Sequence, residues 1–421
     1  MDNDTYSESA EAPTHNEKVL EKIDQWISRG ESKIQAVKNY VQENARERRY
    51  KGDELLKVIG IGSLSRIYQA ENAGRLPPGD RDEKGRRIGY TLAQVRKAQQ
   101  VFGTSPRRSV EDEPVTLAFT NFKGGCWKTT SSWHFTTWAA AQGYRVLAID
   151  IDPQASLTRN LGIMPDVDTS WENSVAPYIM LERPLEDVSD VIVNTAQAGL
   201  DLIPGTLALQ DAEWLLANHM FTNRNTGNVV DQAKTFLRLK DVVSRVRNRY
   251  DIVVIDGTPT LGLLPLNLVF AADCVVVPTP TEYPDFCSTI SFLTLLHTQF
   301  ESLNDLFGEQ MIFPDLSFLA TKFAPGGKTV NTLSSELVLE DMIRPVFQEA
   351  ALENIITKHD AVVGKLVTVG ATVFQAPRGE QGIKKDQWER AEVNFSSVAQ
   401  EIMDKLVIPR WSKGRSQEDV A

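Results

Sequence analysis

The sequence predicts an α/β protein: a mostly parallel sheet with helices on both faces, preceded by an α-helical module and one N-terminal helix. Three observations predict it. From Pro114 onward, short apolar runs alternate with helical segments, the pattern of strands buried on both faces. Residues 16–103 instead carry helical periodicity and turn signals. A glycine-rich stretch, Asn121–Thr130 ("NFKGGCWKTT"), sits between the first apolar strand and its helix.

The chain has 421 residues, room for two or three domains, with 42% hydrophobic and 24% charged residues, as in soluble globular proteins. No run approaches the ~18 uncharged apolar residues of a membrane helix. The polar, acidic first residues are not a signal peptide. Cys126, Cys274 and Cys287 lack metal or disulfide spacing and the five histidines are scattered, so no zinc or iron–sulfur site is expected. The formal net charge of −11 argues against a general nucleic-acid binder. The charge is uneven, however: residues 45–108 carry fifteen Lys/Arg against seven Asp/Glu. A basic module on an acidic body suggests a local polyanion-binding surface, although charge alone does not separate it from a solvated face.

Along the chain, residues 1–14 read as disordered. Residues 16–48 read as a helix. Val19, Ile23, Trp26, Ile27, Ile34, Val37 and Val41 form a stripe that either packs internally or pairs with a second chain. Within 51–103, a short helix around Gly52–Val58 meets a turn at Gly60–Gly62. A second helix starts at Ser63, a good N-cap, and ends at Gly74. A hairpin or wing over 76–91 and a closing helix complete a winged helix-turn-helix pattern. Ser63, Ser65, Arg66 and Gln69 lie in the first turns of the second helix, where side chains reach base edges. The other reading is a small helical domain with no DNA role; the arginine surplus favours DNA.

Residues 104–114 form a linker. Strands are expected at 115–120, 145–151, 200–205, 251–257, 274–279 and 317–323, with helices at 129–142 and 207–218. The expected domains are 1–48, a disordered start and dimerisation helix; 49–108, the DNA-binding module; 109–412, the α/β domain; and 413–421, a polar tail.

The glycine-rich stretch departs twice from the strict phosphate-loop pattern. Phe122 replaces the first glycine and Trp127 the second. Lys123, Gly124, Gly125, Lys128, Thr129 and Thr130 remain, between a strand and a helix. Phosphates are held there by backbone N–H groups at the helix start, whatever the side chain. Lys128 supplies the point charge for the outer phosphates, and the Thr129 hydroxyl is placed for Mg²⁺. Trp127 is expected to keep a conformation that non-glycine residues tolerate, its ring turned outward, where it covers the base or a partner or merely packs. His134, one turn into the helix, reads as packed. Cys126 reads as a small filler, with oxidation sensitivity the less favoured reading.

This arrangement resembles the deviant phosphate loop of ParA/MinD-type ATPases, K-G-G-x-G-K-T-T. "LAIDIDPQASLT" matches that family's first switch segment, "DIVVIDGTP" its second acidic strand, and "VVVPTP" the strand lining the site. Residues 52–412 are similar to the long, helix-turn-helix-bearing branch of plasmid ParA proteins, whose members bear bulky residues in the second glycine slot. The resemblance implies a P-loop NTPase fold that binds ATP or ADP with Mg²⁺. It implies that Lys123 reaches phosphates across a dimer interface and that Lys128 neutralises charge on the transferring phosphoryl group. Thr129 ligates Mg²⁺, Asp150 supports it through water, Asp256 stands behind it, and Asp152 orients the attacking water. Gly124, Gly125, Cys126, Trp127 and Thr130 complete the cradle, with Pro278 and Thr279 bordering the base.

Residues 353–379 correspond to the segment where partition ATPases contact DNA without sequence preference. Lys358 and Lys365 are the candidates there, Lys322 and Arg378 weaker ones; the other reading is ordinary surface lysines. Pro409 stops the terminal helix before a polar tail, which argues against a MinD-like membrane anchor. The implied protein is a cytoplasmic, nucleoid-associated homodimeric partition ATPase. Its partners would be a ParB-type centromere-binding protein, nonspecific nucleoid DNA and its own operator. The competing reading is a repressor whose nucleotide site is vestigial, with Trp127 as the lesion. A metabolic P-loop enzyme or an electron-transfer ATPase lacks support: iron-protein relatives need cysteine ligands at a dimer interface, and three scattered cysteines supply none.

Overall fold

The structure is a computed structural model describing residues 14–44, 46–180, 182–226, 229–260, 262–308, 311–326 and 333–411. The expected disordered start and polar tail fall outside the described residues, apart from Thr14. The chain divides into two compact units, Met1–Ala45 and Arg46–Ala421. The described residues of the first form the helix α1 (His15–Asn44). Its apolar stripe is exposed: Trp26 is 64%, Val37 59% and Ile27 52% accessible.

The second unit opens with α2 (Gly52–Ile59), a turn containing Gly60 in the left-handed region at φ 77°, and α3 (Leu64–Asn72). Ser63 caps α3, its hydroxyl accepting from the Ser65 N–H at 3.2 Å. Strands β1 (Asp80–Arg81) and β2 (Arg87–Gly89) form an antiparallel hairpin, and α4 (Leu92–Phe102) follows with a Thr91–Gln94 capping box. Leu55, Ile59, Ile67, Leu76 and Val95 fill the module's own small core.

The module is fastened to the rest by buried polar bonds. Arg96 donates to the carbonyls of Ala140 and Tyr144, both at 2.9 Å. The Gln99 amide donates to Val58 and Gln142 carbonyls at 2.8 Å each. Gly143, at φ 116°, permits this approach: a Cβ there would stand 2.5 Å from Gln99 Oε1.

The α/β part runs β3 (Val115–Phe119), α5 (Lys128–Gln142), β4 (Val146–Asp150), α6 (Ser156–Asn160), α7 (Ala176–Ile179), β5 (Val193–Asn194) and β6 (Leu200–Ile203). It continues with α8 (Leu209–Thr226), α9 (Val229–Val246), β7 (Ile252–Asp256), α10 (Leu263–Ala271), β8 (Cys274–Pro280), α11 (Tyr283–Phe307) and β9 (Asp315–Thr321). Short turns α12 (Ser335–Leu337) and α13 (Arg344–Phe347) lead to α14 (Asp360–Val367) and α15 (Lys385–Ile402). The sheet order is β5-β6-β4-β7-β3-β8-β9, parallel except for the edge strand β5.

Strand side chains alternate between two cores, as a doubly covered sheet requires. Val115, Leu117 and Phe119 face Trp133, Phe135, Trp388 and Phe395 on one side. Ala118, Ile149, Ile255 and Val277 face Val242, Leu268 and Phe292 on the other. The central strands β4, β7 and β3 end level: Phe119 and Asp150 each sit opposite Asp256 in the register. The loops leaving three parallel strands therefore open at one edge, where ligands of open α/β sheets bind. No helix among the described residues is long and apolar enough to cross a membrane.

Candidate nucleotide site

The loop between β3 and α5 is held from both sides. The Asn121 amide donates to the Pro278 carbonyl at 2.9 Å and to Thr289 Oγ1 at 3.1 Å, and its Oδ1 accepts the Lys123 N–H. Phe122, in the first glycine slot, stands edge-on to Phe292 with ring centroids 4.4 Å apart. Thr321 Oγ1 donates to the Cys126 carbonyl at 3.1 Å, tying β9 to the loop. Cys126 is buried, and burial pushes its thiol up, away from thiolate chemistry.

Trp127 adopts φ 69°, ψ 33°, the left-handed conformation that its slot ordinarily gives to glycine. The residue is thus held in a conformation that non-glycine residues tolerate at a cost, and of the roles open to the ring it takes that of packing. The backbone keeps the loop's shape, at a cost of about 1–2 kcal/mol for a residue bearing a Cβ. The half-buried indole packs against the core cluster of Trp133 and Phe135. The interior of the loop is instead crossed by the largely buried Lys128, whose ammonium donates to the Lys123 carbonyl at 2.9 Å. Helix α5 starts at Lys128, one residue before the sequence-based start. The N–H groups of Lys128, Thr129 and Thr130 have no intrahelical acceptor. Gly124 has open space where a side chain would stand.

Three carboxylates gather at the strand ends. Asp256 accepts from Thr129 Oγ1 at 2.7 Å and Ser132 Oγ at 2.8 Å. Asp150 brackets the segment after β4, accepting the Asp152 N–H at 3.1 Å and the Thr158 N–H and hydroxyl at 2.8 Å each. Asp152 accepts the Gln154 N–H at 2.9 Å. Gly205 lets the next strand approach: a Cβ there would lie 3.0 Å from the Asp150 carboxyl carbon. Burial, and then the neighbouring Asp150 charge, raises Asp256 above the usual carboxylate range; burial raises Asp150 and Asp152 too.

The donor set is hydroxyl and carboxylate oxygen, which suits a hard cation. Such oxygen donors fit Mg²⁺, which keeps several waters and takes substrate phosphates beside one or two carboxylates.

The remaining sequence-derived residues are spread over the fold. Lys123 extends outward to Asp285 at 3.0 Å. Pro278 and Thr279 are buried in β8, Pro278 through its carbonyl to Asn121, Thr279 through its hydroxyl to the Val277 carbonyl. On α3, Ser65, Arg66 and Gln69 are exposed and Ser63 is half-buried; the Arg66 guanidinium lies 5.3 Å from the Phe102 ring centre. Lys358 pairs with Glu282 at 3.1 Å, Arg378 with Glu392 at 3.2 Å, and Lys365 reaches the Gln381 carbonyl at 3.3 Å. Sequence reasoning missed Asn121, Ser132 and Thr158. Their only signal was a polar residue beside a motif; the partners lie up to 168 positions away.

A glycine-bearing loop between a central parallel strand and a helix, faced by an acidic neighbouring strand, defines a P-loop NTPase domain. Residues 115–306 match the family model described as an AAA domain. Protein SopA of Escherichia coli K12 is 32% identical over 404 residues, covering 94% of this chain and 99% of SopA. The sporulation initiation inhibitor protein Soj of Bacillus subtilis 168 is 38% identical over 168 residues, 40% of this chain and 58% of Soj. A solved structure named "Partition Protein" shares the fold with a TM-score of 0.59 at 19% identity, covering 92% of this chain and 98% of that one. The chain belongs to the ParA-type partition ATPases, the family of SopA.

Proposed function

We propose that this chain is a DNA-partition ATPase that segregates plasmid or chromosome copies. It binds ATP or ADP with Mg²⁺, and the ATP form dimerises and coats nucleoid DNA without sequence preference. Slow hydrolysis is stimulated by DNA and a ParB-type centromere-binding partner and releases the dimer. Residues 49–108, as a winged helix-turn-helix, bind the operator of the protein's own operon through Ser63, Ser65, Arg66 and Gln69. The exposed stripe of α1 pairs with a second copy.

The observation that carries this reading is the Thr129–Asp256 bond at the helix start, beside Lys128. It joins the phosphate loop and the acidic strand into one site. Backbone N–H groups from Gly124 to Thr130 grip the phosphates. Lys128 neutralises charge developing on the outer phosphoryl group. Lys123 exchanges Asp285 for phosphates across the dimer interface. Asp152 orients the attacking water, and Thr129 with Asp150 and Asp256 holds the cation directly or through water. Mg²⁺, when bound there, would supply charge neutralisation on the phosphates. Lys358 and Lys365 contribute the nonspecific phosphate contacts to DNA.

The test is ATP turnover of wild type and Lys128→Ala, with and without duplex DNA and the partner. Stimulated turnover in wild type and a loss of about 10²-fold or more in the variant are expected. Full activity in Lys128→Ala removes the phosphate role.

A further inference from the structure

A third lysine overlooks the nucleotide loop. Lys322 follows β9 directly, and its ammonium lies 3.9 Å from the point where a Gly125 Cβ would stand. Its backbone is in the left-handed region at φ 56°, a conformation a lysine adopts only where its surroundings impose it. They do so here. Thr321 is fixed through its hydroxyl to the Cys126 carbonyl and through its own carbonyl to the Thr281 N–H at 2.9 Å. On the other side, the Phe323 N–H is held by the Ile356 carbonyl at 3.1 Å.

Lysines elsewhere around the site have partners: Lys123 has Asp285, Lys358 has Glu282. Among the described residues the half-buried Lys322 ammonium has no acidic partner. A kinked strand end thus delivers an uncompensated cation to the glycine face of a phosphate loop. Such a charge is stabilised by an anion or by oxygen acceptors placed against that face.

We propose that Lys322 is a nucleotide-binding residue, its ammonium donating to the phosphate–ribose side of the bound nucleotide above Gly125. The inference rests on the nucleotide-binding reading of the site. It differs from a DNA role for the same lysine, because the side chain is turned to the loop rather than to open solvent.

Lys322→Gly removes the cation and the backbone strain together, so loss of binding is not confused with loss of folding. Isothermal titration of Mg-ATP and Mg-ADP into wild type, Lys322→Gly and Lys322→Arg reads the effect. Lys322→Gly is expected to bind both nucleotides about tenfold more weakly, the loss of one charge-assisted bond, with an unchanged or raised melting temperature. Lys322→Arg is expected to fall between. Affinity within twofold of wild type in Lys322→Gly overturns the proposal. So does a defect confined to duplex DNA binding at saturating nucleotide, which makes Lys322 a DNA contact. Wild type that binds no nucleotide overturns the underlying reading as well, so the two failures are distinguishable.

Discussion

The phosphate loop and the basic module use sequence in opposite ways. The loop breaks its motif at Phe122 and Trp127, yet its geometry holds. Trp127 takes up the left-handed conformation, and Lys128 and Thr129 stand where the motif places them. The module keeps its pattern of helix, turn, helix and hairpin, yet much of its charge is used internally. Arg48 bonds Glu54, Glu392 and the Val373 carbonyl. Arg49 pairs with Asp80, Arg86 with Asp82 and Arg87 with Glu71. Arg96 and Arg108 spend their donors on carbonyls of the α/β part. A site made of main-chain groups survives changes of side chain. A surface made of side chains cannot be counted until their partners are known, so the net +8 of residues 45–108 overstates the charge available to DNA.

The largest effect that sharpens this contrast is expected at Arg48. Its side chain is only 8% accessible and bridges the module to α15. Arg48→Ala leaves Glu54 without its cation and Glu392 with Arg378 alone, and is expected to cost about 3 kcal/mol of stability in denaturant titration. DNA affinity of the folded fraction stays unchanged. A DNA defect without a stability defect would place Arg48 on the binding face instead.

A nearly equal effect is expected from His134. Its Nδ1 faces the Thr130 carbonyl at 2.8 Å, its ring stacks on Phe395 at 3.8 Å, and its Nε2 is buried without a partner among the described residues. Burial pushes the imidazole down to about 4. The unfolded chain therefore takes up a proton that the folded chain refuses. Stability is complete above the ordinary histidine value near 6.5 and is lost as pH falls toward 4, by roughly 3 kcal/mol. Melting temperatures of wild type and His134→Phe between pH 7.5 and 4 check this; the variant should lack this part of the slope. The smallest effect is expected for Arg86→Ala, whose partly exposed i,i+4 partner is Asp82. A melting temperature indistinguishable from wild type is expected for such an exposed pair, with weaker duplex DNA binding in the same variant.

The same contrast explains what was legible. The six strands expected from 115 onward appear because burial on both faces writes itself as uninterrupted apolar runs. The two-residue edge strand β5 carries no such run and was not expected. Lys128 and Thr129 could be picked out from the spacing of the loop, which is local, whereas the roles of Lys123 and Asp256 were implied by the family resemblance of their segments. Asn121, Thr158 and Lys322 could not, because what they do is decided by residues that only the sheet order brings close. Which of its open roles the indole of Trp127 takes was hidden for a related reason: sequence shows a bulky residue in a glycine slot, but not that the core beside α5 has room for the ring.

The central claim is that main-chain geometry, not the residue in the glycine slot, makes the phosphate site. Calorimetric titration of Mg-ATP into wild type and Trp127→Gly tests it most directly. The account predicts binding by both, with dissociation constants within a few-fold and activity in the variant retained or raised. Binding by Trp127→Gly alone would contradict it and make the tryptophan a plug.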